Sequence, residues 1–128
     1  MSWKRVRLEL ARSHEFPEGS TRHGYEMVLP LDPNDRVDEK ALAAASQVAT
    51  VHRFWEGEGD SVGQIERAGG QWSISYARGN ADDEPLHRFA SHRFREGEYV
   101  SVRTAEGAEH AFKVVAVRPA PGLTKERG

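Results

Sequence analysis

The residues around Gly69-Gly70 constrain this chain more tightly than any others. Two adjacent glycines supply the positive φ that a two-residue hairpin turn requires. Closing the chain there pairs Arg67 with Trp72, Ile65 with Ile74 and Gly63 with Tyr76. The other face then pairs Glu66 with Ser73 and Gln64 with Ser75. One face is apolar and aromatic and the other is polar. A slip of one residue would exchange the faces, so turn chemistry and alternation select the same register. A cation–π contact between Arg67 and Trp72 follows from it.

The segment 98–118 reads as a second hairpin. A three-residue loop, Ala105-Glu106-Gly107, puts Gly107 where positive φ is needed. It pairs Val100 with Phe112, Val102 with His110, and Arg103 with Glu109. A two-residue loop would set Val100 against Lys113 instead. The first register is favoured because it joins apolar to apolar and unlike charge to unlike charge.

Earlier in the chain, residues 3–12 alternate, with Val6, Leu8 and Leu10 opposite Arg5, Arg7 and Glu9. That period of two predicts a half-buried strand. Ser13–Gly24 reads as a loop, rich in Pro, Gly, Ser and Thr. Tyr25–Leu31 reads as a second strand, stopped by Pro30 and Pro33, with a turn over Asp32–Asp35. A helix is predicted next, with Asp35 as N-cap and Asp38 and Glu39 at the positive end of its dipole. Its buried stripe would be Val37, Ala41, Ala44, Ala45 and Val48, and it should end near Ser46. Gln47–Glu56 reads as a third strand, apolar on both faces. Gly79–Pro85 is an acidic loop, and Leu86–Phe94 has no clean period.

These elements amount to a single α+β domain over residues 1–118, followed by a loose tail over 119–128. About seven mostly antiparallel strands should form a curved sheet or partly open barrel, with one helix after the second strand. A flat two-layer arrangement is the alternative. A chain of 128 residues can bury a core without a staple.

Composition removes several function classes. With no Cys, disulfides, thiolate zinc sites, iron–sulfur clusters and Cys nucleophiles are excluded. Charge interrupts the N-terminal apolar residues, so no signal peptide is expected. The longest uncharged apolar runs, Met27–Leu31 and Ala41–Ala45, fall far short of the roughly 20 residues of a membrane span. The expectation is a cytoplasmic protein with no membrane partner. The net charge of −2 argues against a duplex-DNA partner, which favours a basic excess. Cations gather at Lys4, Arg5, Arg7 and Arg12 and again at Arg88, Arg93 and Arg95. Carboxylates gather at Glu56, Glu58 and Asp60 and at Asp82, Asp83 and Glu84. Solvated turns and strand faces account for both.

Catalytic and ligand motifs fail on spacing. Gly19-Ser20-Thr21-Arg22-His23-Gly24 offers amides, hydroxyls and a cation that could hold an anion. It lacks the P-loop Lys, and a strand follows it rather than a helix. There is no Gly-x-Ser-x-Gly elbow and no His-Glu-x-x-His pair. Asp32, Asn34 and Asp35 miss the spacing of a calcium loop, because Arg36 and Val37 stand where a ligand and Gly belong. His52 and His110 lie on expected strands and could converge inside a barrel, with Glu66 or Glu98 completing a metal set. No cofactor is expected on this reading.

Phe16-Pro17-Glu18-Gly19, Gly24-Tyr25-Glu26 and Pro30-Leu31-Asp32 open a pattern. His92-Arg93-Phe94 and Gly97-Glu98-Tyr99-Val100-Ser101-Val102 continue it, with His110, Phe112, Val114-Val115 and Val117-Arg118-Pro119 at its end. Together they resemble a small uncharacterised bacterial family from proteobacteria. The resemblance spans most of the chain outside the acidic loops and the tail. It implies no activity, ligand or partner.

The leading expectation is a small non-catalytic binding or interaction domain. Its surface would combine Ser20, Thr21, Arg22 and His23 with His87, Arg88, His92 and Arg93, which offer hydrogen-bonding groups without a folding reason. The partner would be an unknown protein or small molecule, and an open sheet edge could support a homodimer. One alternative is a small-ligand or metal-binding barrel, conceivably an enzyme, with at least two of His23, His52, His92 and His110 facing one cavity. Another is a single-stranded nucleic-acid binder. It would use Trp55, Trp72, Tyr76, Phe89, Phe94 and Tyr99 interleaved with Arg53, Arg78, Arg88 and Arg93.

Overall fold

The structure is a computed structural model that describes residues 1–68, 71–76, 84–86, 91–103 and 109–120. The turn glycines Gly69-Gly70, the turn Ala105-Glu106-Gly107, most of the 79–85 loop, and His87, Arg88, Phe89 and Arg78 lie outside the described residues. So does the chain beyond 120.

Seven strands and the two-residue β6 form one antiparallel sheet. In chain order they are β1 (Ser2–Leu10), β2 (Ser20–Leu31), β3 (Thr50–Trp55), β4 (Ser61–Ala68), β5 (Gln71–Tyr76), β6 (Glu84–Pro85), β7 (Tyr99–Arg103) and β8 (Glu109–Pro119). The spatial order is β6-β5-β4-β3-β2-β1-β8-β7. One short helix, α1 (Glu39–Ala44), follows β2. The domain is therefore mostly β, and α1 is the one α-helix among the described residues.

Both expected hairpin registers form. Arg67 faces Trp72, Ile65 faces Ile74 and Gly63 faces Tyr76 across β4 and β5. Val100 faces Phe112, Val102 faces His110 and Arg103 faces Glu109 across β7 and β8. The Arg67 guanidinium lies 5.0 Å from the centroid of the Trp72 ring. Trp72 and Tyr76 are core residues with Ile74 rather than an exposed stacking platform.

The sheet is curled, and side-chain distances register the curl. β3 and β8 are separated by β2 and β1. At about 4.8 Å per strand they would lie roughly 14 Å apart on a flat sheet. Yet the rings of Trp55 on β3 and His110 on β8 are 5.9 Å apart, and those of Trp55 and Phe112 are 6.3 Å apart. The expected flat two-layer alternative does not form. Two register shifts in β1 sharpen the bend, one against β2 at Glu9/Leu10 and one against β8 at Arg7/Leu8.

The concave side holds the core. Val6, Leu8 and Leu10 of β1 bury their side chains there beside Tyr25, Met27 and Leu29 of β2. Gly24 explains how closely the backbones approach. A Cβ there would collide with the Leu8 carbonyl oxygen and with the Phe54 ring.

Three expectations change. β2 begins at Ser20, not at Tyr25, because His23 pairs with Trp55 of β3 and Arg22 accepts a bond from the Glu56 amide. The Ser, Thr and Gly content marks a register break rather than a free loop: the β1 partner jumps from Gly24 to Ser20. The helix is shorter and starts later. Asp38 is its N-cap and accepts from the Ala41 amide at 3.0 Å, while Asp35 occupies the preceding turn at φ 65°. Val37 instead bridges to Leu31, and Val48 falls in a 3-10 turn, Ser46–Val48, so neither joins a helical stripe. Finally, the ordered sheet runs past residue 118. Pro119 pairs with Lys4, and buried Ala120 donates to the Trp3 carbonyl.

α1 covers the end of the concave face where β2 finishes. Leu42 is fully buried, and the indole Nε1–H of Trp72 donates to Glu39 at 2.9 Å. Among the described residues, no helix is long and apolar enough to cross a membrane.

Two substitutions test this account by urea unfolding. Asp38→Ala should cost about 1 kcal/mol through the lost cap, whereas Asp35→Gly should cost less or stabilise, because glycine accepts positive φ. Gly24→Ala should cost about 1–3 kcal/mol, the range for overpacking a filled site.

Candidate functional site

The end of the concave face away from α1 is chemically different from the rest. β3 alternates Val51, Arg53 and Trp55 toward the inside, because they lie opposite inward-facing Met27, Tyr25 and His23 of β2. Arg53 is thus an inner-face residue, with its side chain 14% exposed. Its guanidinium lies 4.5 Å from the centroid of the Trp55 ring, a cation–π contact. Glu58 accepts from its Nη1 at 3.0 Å.

Two imidazoles flank the same indole. The His23 ring meets Trp55 edge-on with centroids 4.6 Å apart, and the His110 ring lies 5.9 Å from it, tilted. Phe16 closes on His23 at 4.8 Å. His23 is buried, at 6% exposure, and its Nδ1 shares a 2.7 Å hydrogen bond with Ser20 Oγ. The same Ser20 oxygen accepts from the Arg22 amide at 3.1 Å. The hydroxyl therefore orients the imidazole at the strand start. Trp55 and His110 are half-buried.

The convex face carries a separate network. Arg7 donates from Nε to Glu9 and from Nη1 to Glu26, both at 2.8 Å, and lies 4.4 Å over the Phe54 ring. Hydrogen bonding to Glu9 first, and to Glu26 as well, raises the Arg7 pKa above its ordinary value against the opposing effect of burial. One guanidinium ties β1, β2 and β3 together there. Arg7 is a structural clamp.

The expected site residues are distributed as follows. His23 faces the concave cluster, and Ser20 positions it. Thr21 and Arg22 are exposed, and Arg22 pairs with Glu56 at 2.8 Å. His92 is half-buried and Arg93 is exposed. The segment holding them is tied to the far end of β2, since the Phe94 amide donates to the Asp35 carbonyl at 2.8 Å and Arg95 pairs with Asp35. The two expected segments thus sit at opposite ends of that strand.

The histidine expectation needs a correction in its pairing. His52 points to the convex side, exposed, and binds Asp60 at 2.8 Å. His110 and His23 instead both pack against Trp55, because β2 and β8 both turn those positions inward. Glu66 is exposed and accepts from Gln64 at 3.1 Å, and Glu98 is exposed. Among the described residues, no three His, Asp or Glu side chains gather as metal ligands would.

Arg53 and Trp55 were expected only among the aromatic and Arg residues of a nucleic-acid surface, and their place on the inner face beside His23 was not anticipated. Their signal was present as a period of two through Val51, Arg53 and Trp55. Comparison with protein-family models, with curated proteins and with solved structures returns no match.

Trp3 and Trp72 are buried, so Trp55 is the indole that solvent reaches. Iodide or acrylamide should quench a distinct fraction of the tryptophan emission, and Trp55→Phe should remove that fraction. Equal quenching in both proteins would contradict this placement.

Proposed function

We propose that this chain is a small non-catalytic binding domain that holds its ligand at the cluster around Trp55. The observation that carries this reading is Arg53 on the concave face. Its neighbours there are Val51 on its own strand and Tyr25 opposite it, which bury apolar and aromatic surface. Placing a guanidinium among them costs desolvation. An apolar side chain of similar volume would serve stability as well or better. His23 and His110 add two more polar rings to the same few ångströms, and both lean on Trp55.

Small-molecule sites have this composition. They combine an aromatic or apolar floor with a few convergent polar groups that orient the ligand. The curl of the sheet makes the site, since it brings β3 and β8 side chains together across two intervening strands. Ser20 fits a supporting role, since its oxygen already serves His23 and the Arg22 amide.

A small-molecule screen of the isotope-labelled full chain tests the reading by NMR. A ligand should move the Trp55 indole N–H and the His23 and His110 rings while leaving the Trp72 indole in place. It should also raise the melting temperature, by the equivalent of about 2.7 kcal/mol at 100 times its Kd. Trp55→Leu should weaken binding at least about tenfold with an unchanged far-UV spectrum. Ligands that bind elsewhere and ignore this substitution would overturn the proposal.

A further inference from the structure

We infer that the convex face carries a second binding site, for a small organic carboxylate with a flat ring, in a groove along the end of β1. The inference does not depend on the Trp55 cluster, which lies on the opposite face of the sheet.

The groove opens where β1 loses register with both of its neighbours. Against β8, Arg7 faces Ala116 and Leu8 faces Val114, so Val115 has no partner on β1. Against β2, Glu9 faces Gly24 and Leu10 faces Ser20, so Thr21, Arg22 and His23 are passed over. Irregularities of this kind re-aim side chains and gather beside functional sites. Val115 and Thr21 both line the resulting groove, whose volume is about 440 Å³. Small-ligand sites have volumes of this order. Glu18 and Gly19 form one wall. A Cβ at Gly19 would come 2.7 Å from the Leu10 carbonyl oxygen, and the Gly19 amide donates to the Phe16 carbonyl. Backbone packing therefore sets the position of that wall before any ligand arrives.

The side chains around the groove include cations without partners. Lys113 and Glu9 stand directly opposite each other on β8 and β1, where unlike charges ordinarily pair. Here Glu9 accepts from Arg7 Nε at 2.8 Å, and among the described residues Lys113 forms no ion pair. Arg12 is exposed, lines the same groove and likewise forms no ion pair among them. Tyr99 faces Lys113 across β7 and β8 and is 57% exposed. An ammonium, a guanidinium and a flat ring thus border one concavity. A carboxylate answers the two cations, and a ring attached to it answers Tyr99.

The carboxylates nearby limit the charge of the ligand. Glu18 lines the groove, and Arg7 is shared between Glu9 and Glu26, which leaves that clamp with an excess of negative charge. Beside these groups, Arg12 and Lys113 match a single negative charge. A phosphate dianion or a nucleic-acid strand brings more negative charge than they neutralise.

Naphthoate, naphthyl phosphate and neutral naphthamide titrated into the isotope-labelled full chain provide the test. NMR follows the Tyr99 ring, the Lys113 and Thr21 amides and the Trp55 indole N–H. Naphthoate should move Tyr99, Lys113 and Thr21 and bind there more tightly than the other two probes. Lys113→Gln, at an exposed position, should weaken naphthoate about fivefold and leave naphthamide unchanged. Tyr99→Ala, also exposed, should weaken all three with an unchanged far-UV spectrum. Naphthoate affinity that is the same in wild type, Lys113→Gln and Arg12→Gln would overturn the inference. Tighter binding of naphthyl phosphate than of naphthoate would overturn the single-carboxylate assignment. Shifts at Trp55 with none at Tyr99 would overturn this site while supporting the reading of the Trp55 cluster. No shift at Tyr99 with any probe would likewise overturn it.

Discussion

The rest of this structure depends on the close backbone contact between β1 and β2 at Gly24. β1 pairs along both edges, with β2 on one side and β8 on the other. It changes register against each of them within a few residues. A side chain at position 24 would strike the Leu8 carbonyl and the Phe54 ring, so only glycine lets the strands meet there while the ladder shifts. The shifts bend the sheet, and the bend converts an apolar face into an enclosed core. It also gives the two ends of the concave side different fates. α1 covers one end with Leu42 and anchors itself through Glu39 to Trp72. The other end gathers Arg53, His23 and His110 around Trp55.

The two guanidiniums on either side of β2 show how position decides role. Arg7 and Arg53 each lie over an aromatic ring and each bind a carboxylate. Arg7 sits on the convex side, shared between Glu9 and Glu26, where it fastens three strands. Arg53 sits on the concave side, where its carboxylate comes from an exposed turn. The first arrangement is a clamp that nothing needs to open. The second holds the cation on the inner face, against the ring of Trp55.

Local sequence carried much of the fold. The hairpin of β4 and β5 was legible because two glycines and a strict alternation demanded the same register. The β7–β8 register was legible because one loop length matched apolar and charged pairs together. Helix boundaries were less legible. Asp35 and Asp38 are both good caps, and the choice between them fell to the Leu31–Val37 bridge, which holds the chain extended until Asp38. The start of β2 was misread because Ser, Thr and Gly signal loops on their own, while its partner Trp55 lies far along the chain. The site divided in the same way. His23 stood out as part of a polar segment, whereas Arg53 stood out only as one of several Arg interleaved with aromatics, with nothing local to show that it faces inward.

By itself the sequence determined the strand-dominated class, the two hairpin registers, and the absence of cysteine chemistry. Those outcomes follow from neighbours in the chain, where side-chain alternation and turn geometry act over a few residues. Only the tertiary structure decided which histidines pack on Trp55, which arginine faces inward, and which end of the core α1 covers. Those outcomes depend on curvature, which accumulates across β3, β2, β1 and β8 from register shifts that no single segment encodes.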